Sequence, residues 1–363
     1  MTAVLTAPFI PIAKNLSSHR AAQGVIYADQ LKQAGKDIYI NMSLERYVED
    51  HNTFDEMYVY HGNDWSGHLN LFGGLKEFPH VDNFLNFSKF KGKVYSLVIP
   101  FPDYYDQLKH KADLASSKNK EIDPRWNQVD WDNIKRMEQT AEVVDPNLIR
   151  LYPNIAIGDS HAICMYRPGW VNYSVPFKTL HGALKMGLMS FIKPTDAKFN
   201  NIEFYFGNID VRHHLLRQSD PQQAVIDIVT EYVKQAKEVA DHYGAQVTLY
   251  ELLPIENEKR HIPKTGWYEK TPFFGTRIER DKIRRFFKQE LLAQTAEHDN
   301  VHVFEWVDEL TNAIGELDFK YMEKPQSVHL SREFYPHWQG WEWNGLTAPI
   351  NKGVQHATLE AFL

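Results

Sequence analysis

The most constraining stretch of this chain is a helix that begins and ends cleanly between two strand-like runs. Asp220 stands in a capping position and Pro221 in the first turn. Val225, Ile228/Val229, Tyr232/Val233, Ala236, Val239/Ala240 and Tyr243 then recur with a period near 3.6, and Gly244 stands where a helix stops. Ile202–Phe206 before it and Gln246–Leu253 after it are rich in β-branched and aromatic residues. Strand, helix and strand in succession predict a parallel sheet of the α/β class.

The same rhythm runs through most of the 363 residues. In 1–150, Asp37–Asn41, Glu56–His61 and Lys93–Pro100 are expected strands, with helices over His19–Gln33 and Leu44–Asp50 ahead of the first two. Gly62–Gly67, just past the second strand, could be a binding loop or an ordinary turn. Breaks at Pro124 and Asp145-Pro146 suggest a boundary near 145–150, giving an N-terminal α/β segment, 1–150, and a second domain, 151–363. In the latter, strand Tyr152–Ile157, helix Leu180–Ile192, helix Thr276–Glu297 and strand Val301–Trp306 continue the alternation. The loop Pro254–Gly275 is long for a compact domain, which marks it as a candidate lid. No internal sequence repeat is evident.

Composition narrows the function classes. With 43% hydrophobic and 24% charged residues the chain can bury a substantial core. The net charge of −7 and the lack of a basic tract argue against a general nucleic-acid binder. The local set Arg277, Arg280, Lys282, Arg284, Arg285 and Lys288 reads as the solvated face of a helix. A single cysteine, Cys164, excludes an internal disulfide and is expected to be a buried structural thiol. The start of the sequence does not read as a signal peptide, and no run is long enough to span a membrane. A soluble, cytoplasmic protein is expected, with a small-molecule or glycan partner and no cofactor; the oligomeric state is not legible. The aromatic content of 13% fits loop packing or a flat ligand face.

The chemistry is concentrated where the alternating run Asn154–Ile157 ends in Gly158-Asp159-Ser160-His161. Ester cleavage through a nucleophile needs an exposed hydroxyl, a base beside it, and donors for the developing oxyanion. Ser160 after a strand and a glycine offers the hydroxyl. Asn208, past the next strand in Gly207-Asn208-Ile209-Asp210, offers an amide donor. His329, beyond the last strand, offers the base. In an open α/β sheet such strand ends converge. The segment is not the nucleophile elbow of α/β-hydrolases, because a second glycine is missing.

These motifs, in this order, resemble the SGNH (GDSL-type) hydrolase superfamily over roughly 151–335. Phe206–His214 also resembles a Gly-Glu-x-Asp-x-Arg-x-His pattern of one branch, with Asn208 where that branch has glutamate. The resemblance implies a three-layer α/β/α flavodoxin-like domain and a serine esterase or acyltransferase. It assigns Ser160 as nucleophile, its N–H and Asn208 as oxyanion donors, and His329 as general base, with Gly158 and Asp159 shaping the turn. Gly182 is a poor match to a further oxyanion glycine, and His214 is the preferred site histidine of the His213-His214 pair. Where the family places an aspartate three residues before its histidine, this chain has Gln326. A backbone carbonyl, Asp210 or Glu333 would then orient His329, although Asp210 and Arg212 read most simply as an ion pair.

Two other classes fit parts of the pattern. A transferase or binding protein on the same scaffold would suit Gln326. A metallophosphoesterase would use Asp159, His161, Asn208 and Asp210 as ligands, although Ile209 stands where its metal-binding histidine belongs.

Overall fold

The computed structural model describes residues 2–6, 19–41, 54–60, 85, 87–98, 100–101, 105–106, 124–146, 153–167, 169–175, 178–192, 198–256, 273–306, 310–323, 327–331 and 334–337. They fall in two compact units, within Met1–Ile149 and within Arg150–Gly340. The expected helix over 44–50, the loop 62–67 and most of the candidate lid lie outside the described residues, as do Gln326 and Glu333.

In the first unit, β1 (Thr2–Thr6), α1 (His19–Gln33), β2 (Asp37–Asn41), β3 (Glu56–Val59), β4 (Lys93–Leu97), α2 (Trp131–Thr140) and β5 (Glu142–Val144) follow in sequence. All pairings are parallel and the strand order is β2-β1-β3-β4-β5. Val4, Met57, Val59, Phe90, Ile134 and Met137 belong to one buried cluster. Asp130 caps α2 by accepting from the Asn133 N–H at 3.0 Å.

The second unit carries β6 (Asn154–Gly158), β7 (Val171–Ser174), α3 (Leu180–Met186), β8 (Asn201–Tyr205), α4 (Asn208–His213), α5 (Pro221–Tyr243), β9 (Gln246–Tyr250), α6 (Arg277–Thr295) and β10 (Val301–Phe304). Its sheet is again wholly parallel, in the order β10-β9-β8-β6-β7. Counted within each unit, both orders are 2-1-3-4-5, the doubly wound flavodoxin-like arrangement. So a topology recurs where the sequence shows no repeat.

α5 forms as its sequence dictates. Asp220 accepts from the N–H groups of Gln222 and Gln223, Pro221 occupies the first turn, and Gly244 closes it with φ +62°. α6 opens on a reciprocal capping box between Thr276 and Glu279. The expected helix 180–192 divides instead: Gly187, at φ +86°, ends α3 and a 3-10 turn takes over Leu188–Phe191. Strands β1, β5 and β7 were not expected from local pattern.

Strand register sorts the faces of this sheet. Ile155, Ile157, Ile202, Phe204, Val247 and Leu249 share one side, and Phe206, in step with Phe204, meets Phe191 beyond α3. Right-handed crossovers place α3, α5 and α6 on that side. The opposite side carries Ala156, Glu203, Tyr205, Thr248 and Tyr250, and receives the 3-10 helix Ser160–Met165 and His337. Burial pushes the Cys164 thiol well up.

The basic set on α6 is not a uniform solvated face. Arg280 is buried over the Phe273 ring and donates to the Gly275 carbonyl, and buried Arg284 pairs with Glu251 at 3.0 Å. Among the described residues no helix is long and apolar enough to cross a membrane.

Candidate active site

Gly158 is the last residue of β6, and only glycine fits there. A Cβ would lie 2.2 Å from the Tyr205 carbonyl oxygen of the neighbouring strand. The close approach lets the Asp159 N–H donate to that same carbonyl at 3.1 Å. Asp159 then caps the 3-10 helix Ser160–Met165, its side chain accepting from the His161 N–H and its carbonyl from the Ala162 N–H. Ser160 is thus the first residue of a helical turn, half-buried at a strand end, ahead of the two N–H groups that Asp159 satisfies.

His329 meets it there. Its Nε2 lies 2.8 Å from Ser160 Oγ. The histidine sits on a small antiparallel ladder in which Met322 bridges Leu330, the Glu323 N–H donates to the His329 carbonyl, and the Ser331 N–H to the Tyr321 carbonyl. This ladder brings Glu323 alongside, with Oε1 3.6 Å from His329 Nδ1 and its side chain buried. Ser327 links the two, donating its hydroxyl to Glu323 at 2.8 Å and accepting the His329 N–H at 3.1 Å. Serine, imidazole and carboxylate therefore stand in the order that nucleophilic catalysis uses.

The acid that stands beside the imidazole is Glu323, which the sequence did not single out. Asp210 does not stand there: both its oxygens accept backbone N–H groups from the start of α3, Leu180 at 2.6 Å and His181 at 3.2 Å. Nor does Asp210 pair with Arg212, whose partner is Glu256 at 2.7 Å, with a further bond to the Asn208 carbonyl. The reason is helical: the segment Asn208–His213 is α4, and its side chains diverge instead of alternating.

Asn208 begins α4 after Gly207, which adopts φ +115°. The asparagine is buried, and its Oδ1 accepts from the Leu253 N–H at 3.3 Å. That fixes the amide's orientation and leaves Nδ2 as the donor. Nδ2 makes no hydrogen bond that meets ordinary geometry within the protein, and the Tyr205 hydroxyl lies near enough for the amide to act on it. Gly182 is not such a donor, because its N–H is held by Thr179 Oγ1 at 2.9 Å as part of the α3 cap.

Asp210 and His214 line a cleft of about 750 Å³ between α3 and α5, with Leu184, Leu215 and Ile228 on its walls. Burial raises the Asp210 carboxyl above its ordinary range despite its two N–H donors. His213 turns elsewhere and stacks on Phe273.

His161, next to the serine, was quoted in the motif and given no part in the serine chemistry. It is buried, its Nδ1 lies 2.7 Å from Asp159 Oδ1, and its ring faces that of His329 at 4.8 Å between centroids. Among the described residues no group of three His, Cys, Asp or Glu side chains could hold a metal ion. Asp159, His161 and Asp210, the ligands a metallophosphoesterase would need, are engaged with one another or with α3.

No protein-family model matches the chain, and no curated protein matches it. Among solved structures, one from Streptococcus pneumonia, provisionally described as a platelet activating factor, is similar to it. The identity is 20%, the TM-score 0.39, and the match covers 53% of this chain and 83% of that one.

Proposed function

We propose that the unit Arg150–Gly340 is an SGNH-type serine esterase or acyltransferase acting on an acyl ester of a small molecule or glycan. The observation that carries this reading is the 2.8 Å contact between His329 Nε2 and Ser160 Oγ, backed by Glu323 on the far side of the ring. Ser160 Oγ attacks the acyl carbonyl carbon while His329 takes the hydroxyl proton. Glu323 stabilises the imidazolium that results. The oxyanion of the tetrahedral intermediate is held by Asn208 Nδ2 and the Ser160 N–H. Collapse expels the alcohol, which receives its proton from His329, and leaves the acyl group on Ser160. Water then releases it as an acid, or an acceptor hydroxyl carries it away as a new ester.

The carboxylate at Glu323 removes the argument for a non-hydrolytic scaffold that rested on Gln326. Hydrolysis and transfer differ only in which hydroxyl reaches the acyl-enzyme. The test is labelling by a fluorophosphonate. The wild-type chain is expected to form a covalent adduct on Ser160 that Ser160→Ala lacks. Equal labelling of both, or none of either at high probe concentration, would overturn the reading.

A further inference from the structure

His329 is flanked by two acid groups, and only one of them is accounted for by the triad. Glu323 approaches its Nδ1 edge. Against its ring face lies the pair Asp159–His161, joined at 2.7 Å and buried, with 0% and 4% exposure. We propose that His161, held by Asp159, is a positioning residue that sets the proton affinity of His329: the pair gains and loses a proton as a unit, and its charge is felt by the general base. The proposal rests on Ser160 and His329 acting as described above.

The physical argument is one of proximity and desolvation. A carboxyl and an imidazole sharing a hydrogen bond this close titrate together, so the proton belongs to the pair. Asp159 Oδ2 makes no hydrogen bond within the protein. Burial pushes the Asp159 carboxyl up to about 7, against the opposing pull of the His161 N–H, Arg212 and His329. The other groups facing the pair leave this balance intact. Arg212 is neutralised by Glu256, Asp210 is engaged with α3, and Cys164, Tyr205 and Tyr232 are all pushed toward their protonated forms.

The sign follows. With its extra proton the pair presents an imidazolium, or a neutral acid and imidazole, to the face of His329. Once that proton leaves, the pair carries a net negative charge and favours His329 accepting the serine proton. Activation of Ser160 thus requires two losses on rising pH: one from His329 itself and one from the pair.

The test uses the full chain and a fluorophosphonate as probe. The logarithm of the second-order labelling rate is measured against pH from 5 to 9 for wild type, Asp159→Asn and the double variant Asp159→Asn/His161→Phe, with thermal melting as a fold control. Asp159→Asn removes the titrating carboxyl and keeps a side-chain oxygen for the His161 N–H, and the double variant removes the imidazole as well. The expected wild-type slope on the acid limb approaches two, and both variants fall to one, whatever their plateau rates. A wild-type slope of one, or variants that retain a slope of two, overturns the inference. If neither variant melts cooperatively, the wild-type slope alone decides. Absence of Ser160 labelling at every pH is a different result, and it overturns the proposed function instead.

Discussion

At the scale of single residues, the position of Glu323 is decisive. It lies six residues ahead of His329, where the family pattern would look three residues ahead and find Gln326. The ladder between Met322 and Leu330 makes the longer spacing work, because residues opposite one another on such a ladder are neighbours. Glu323→Gln keeps an acceptor for the Ser327 hydroxyl and removes the charge. The labelling rate at neutral pH should drop by about a hundredfold or more, with the fold retained, since the uncharged amide no longer stabilises imidazolium. Asn208→Ala should lower kcat for an ester substrate by roughly 100- to 1000-fold with little change in KM, as expected for a donor used only in the transition state. A comparable rise in KM instead would place Asn208 in ground-state binding. The meeting of Ser160 and His329 was legible from their order along the chain, the serine just past a strand end and the histidine beyond the last strand. Glu323 was not, since the contact that makes it a partner exists only after the ladder pairs.

At the scale of elements, what the sequence revealed was what local chemistry decides. α5 has its capping aspartate, first-turn proline and closing glycine, and its bounds follow from them. The strands β1, β5 and β7, of five, three and four residues, owe their existence to pairing with neighbours far along the chain. The turn after β6 is set by an approach that a sequence does not display. Gly158→Ala would force its Cβ against the Tyr205 carbonyl, and should cost about 1–3 kcal/mol in urea unfolding, with loss of labelling. Ile228, on the apolar stripe of α5, is half-buried and faces the cleft. Ile228→Trp should narrow that space. If the cleft receives the acceptor, transfer to a bulky alcohol should fall at least tenfold while hydrolysis of a small acetyl ester is retained; unchanged rates of both would show that the cleft takes no part in the reaction.

For the chain as a whole, two sheets of the same 2-1-3-4-5 order show how little of topology is written locally, since 1–150 and 151–335 share no visible motif. The second unit also carries a pH dependence of known sign. His337 accepts or donates at 2.7 Å to the Tyr250 hydroxyl, and burial lowers its pKa to about 4. Neutral imidazole is the folded form, so its contribution is present above 6.5 and is lost as pH falls from there toward 4. Urea midpoints at pH 7 and pH 4.5 should therefore differ more in wild type than in His337→Gln; an equal difference would show that other groups set the acid limb. The ladder carrying Glu323 and His329 has a consequence for synthesis. Strands β6 and β8 place Ser160 and Asn208 while His329 and Glu323, joined in one short segment, have yet to emerge. On the proposed mechanism, a nascent chain halted before residue 319 would carry Ser160 without its base, and both missing groups would arrive in a single step.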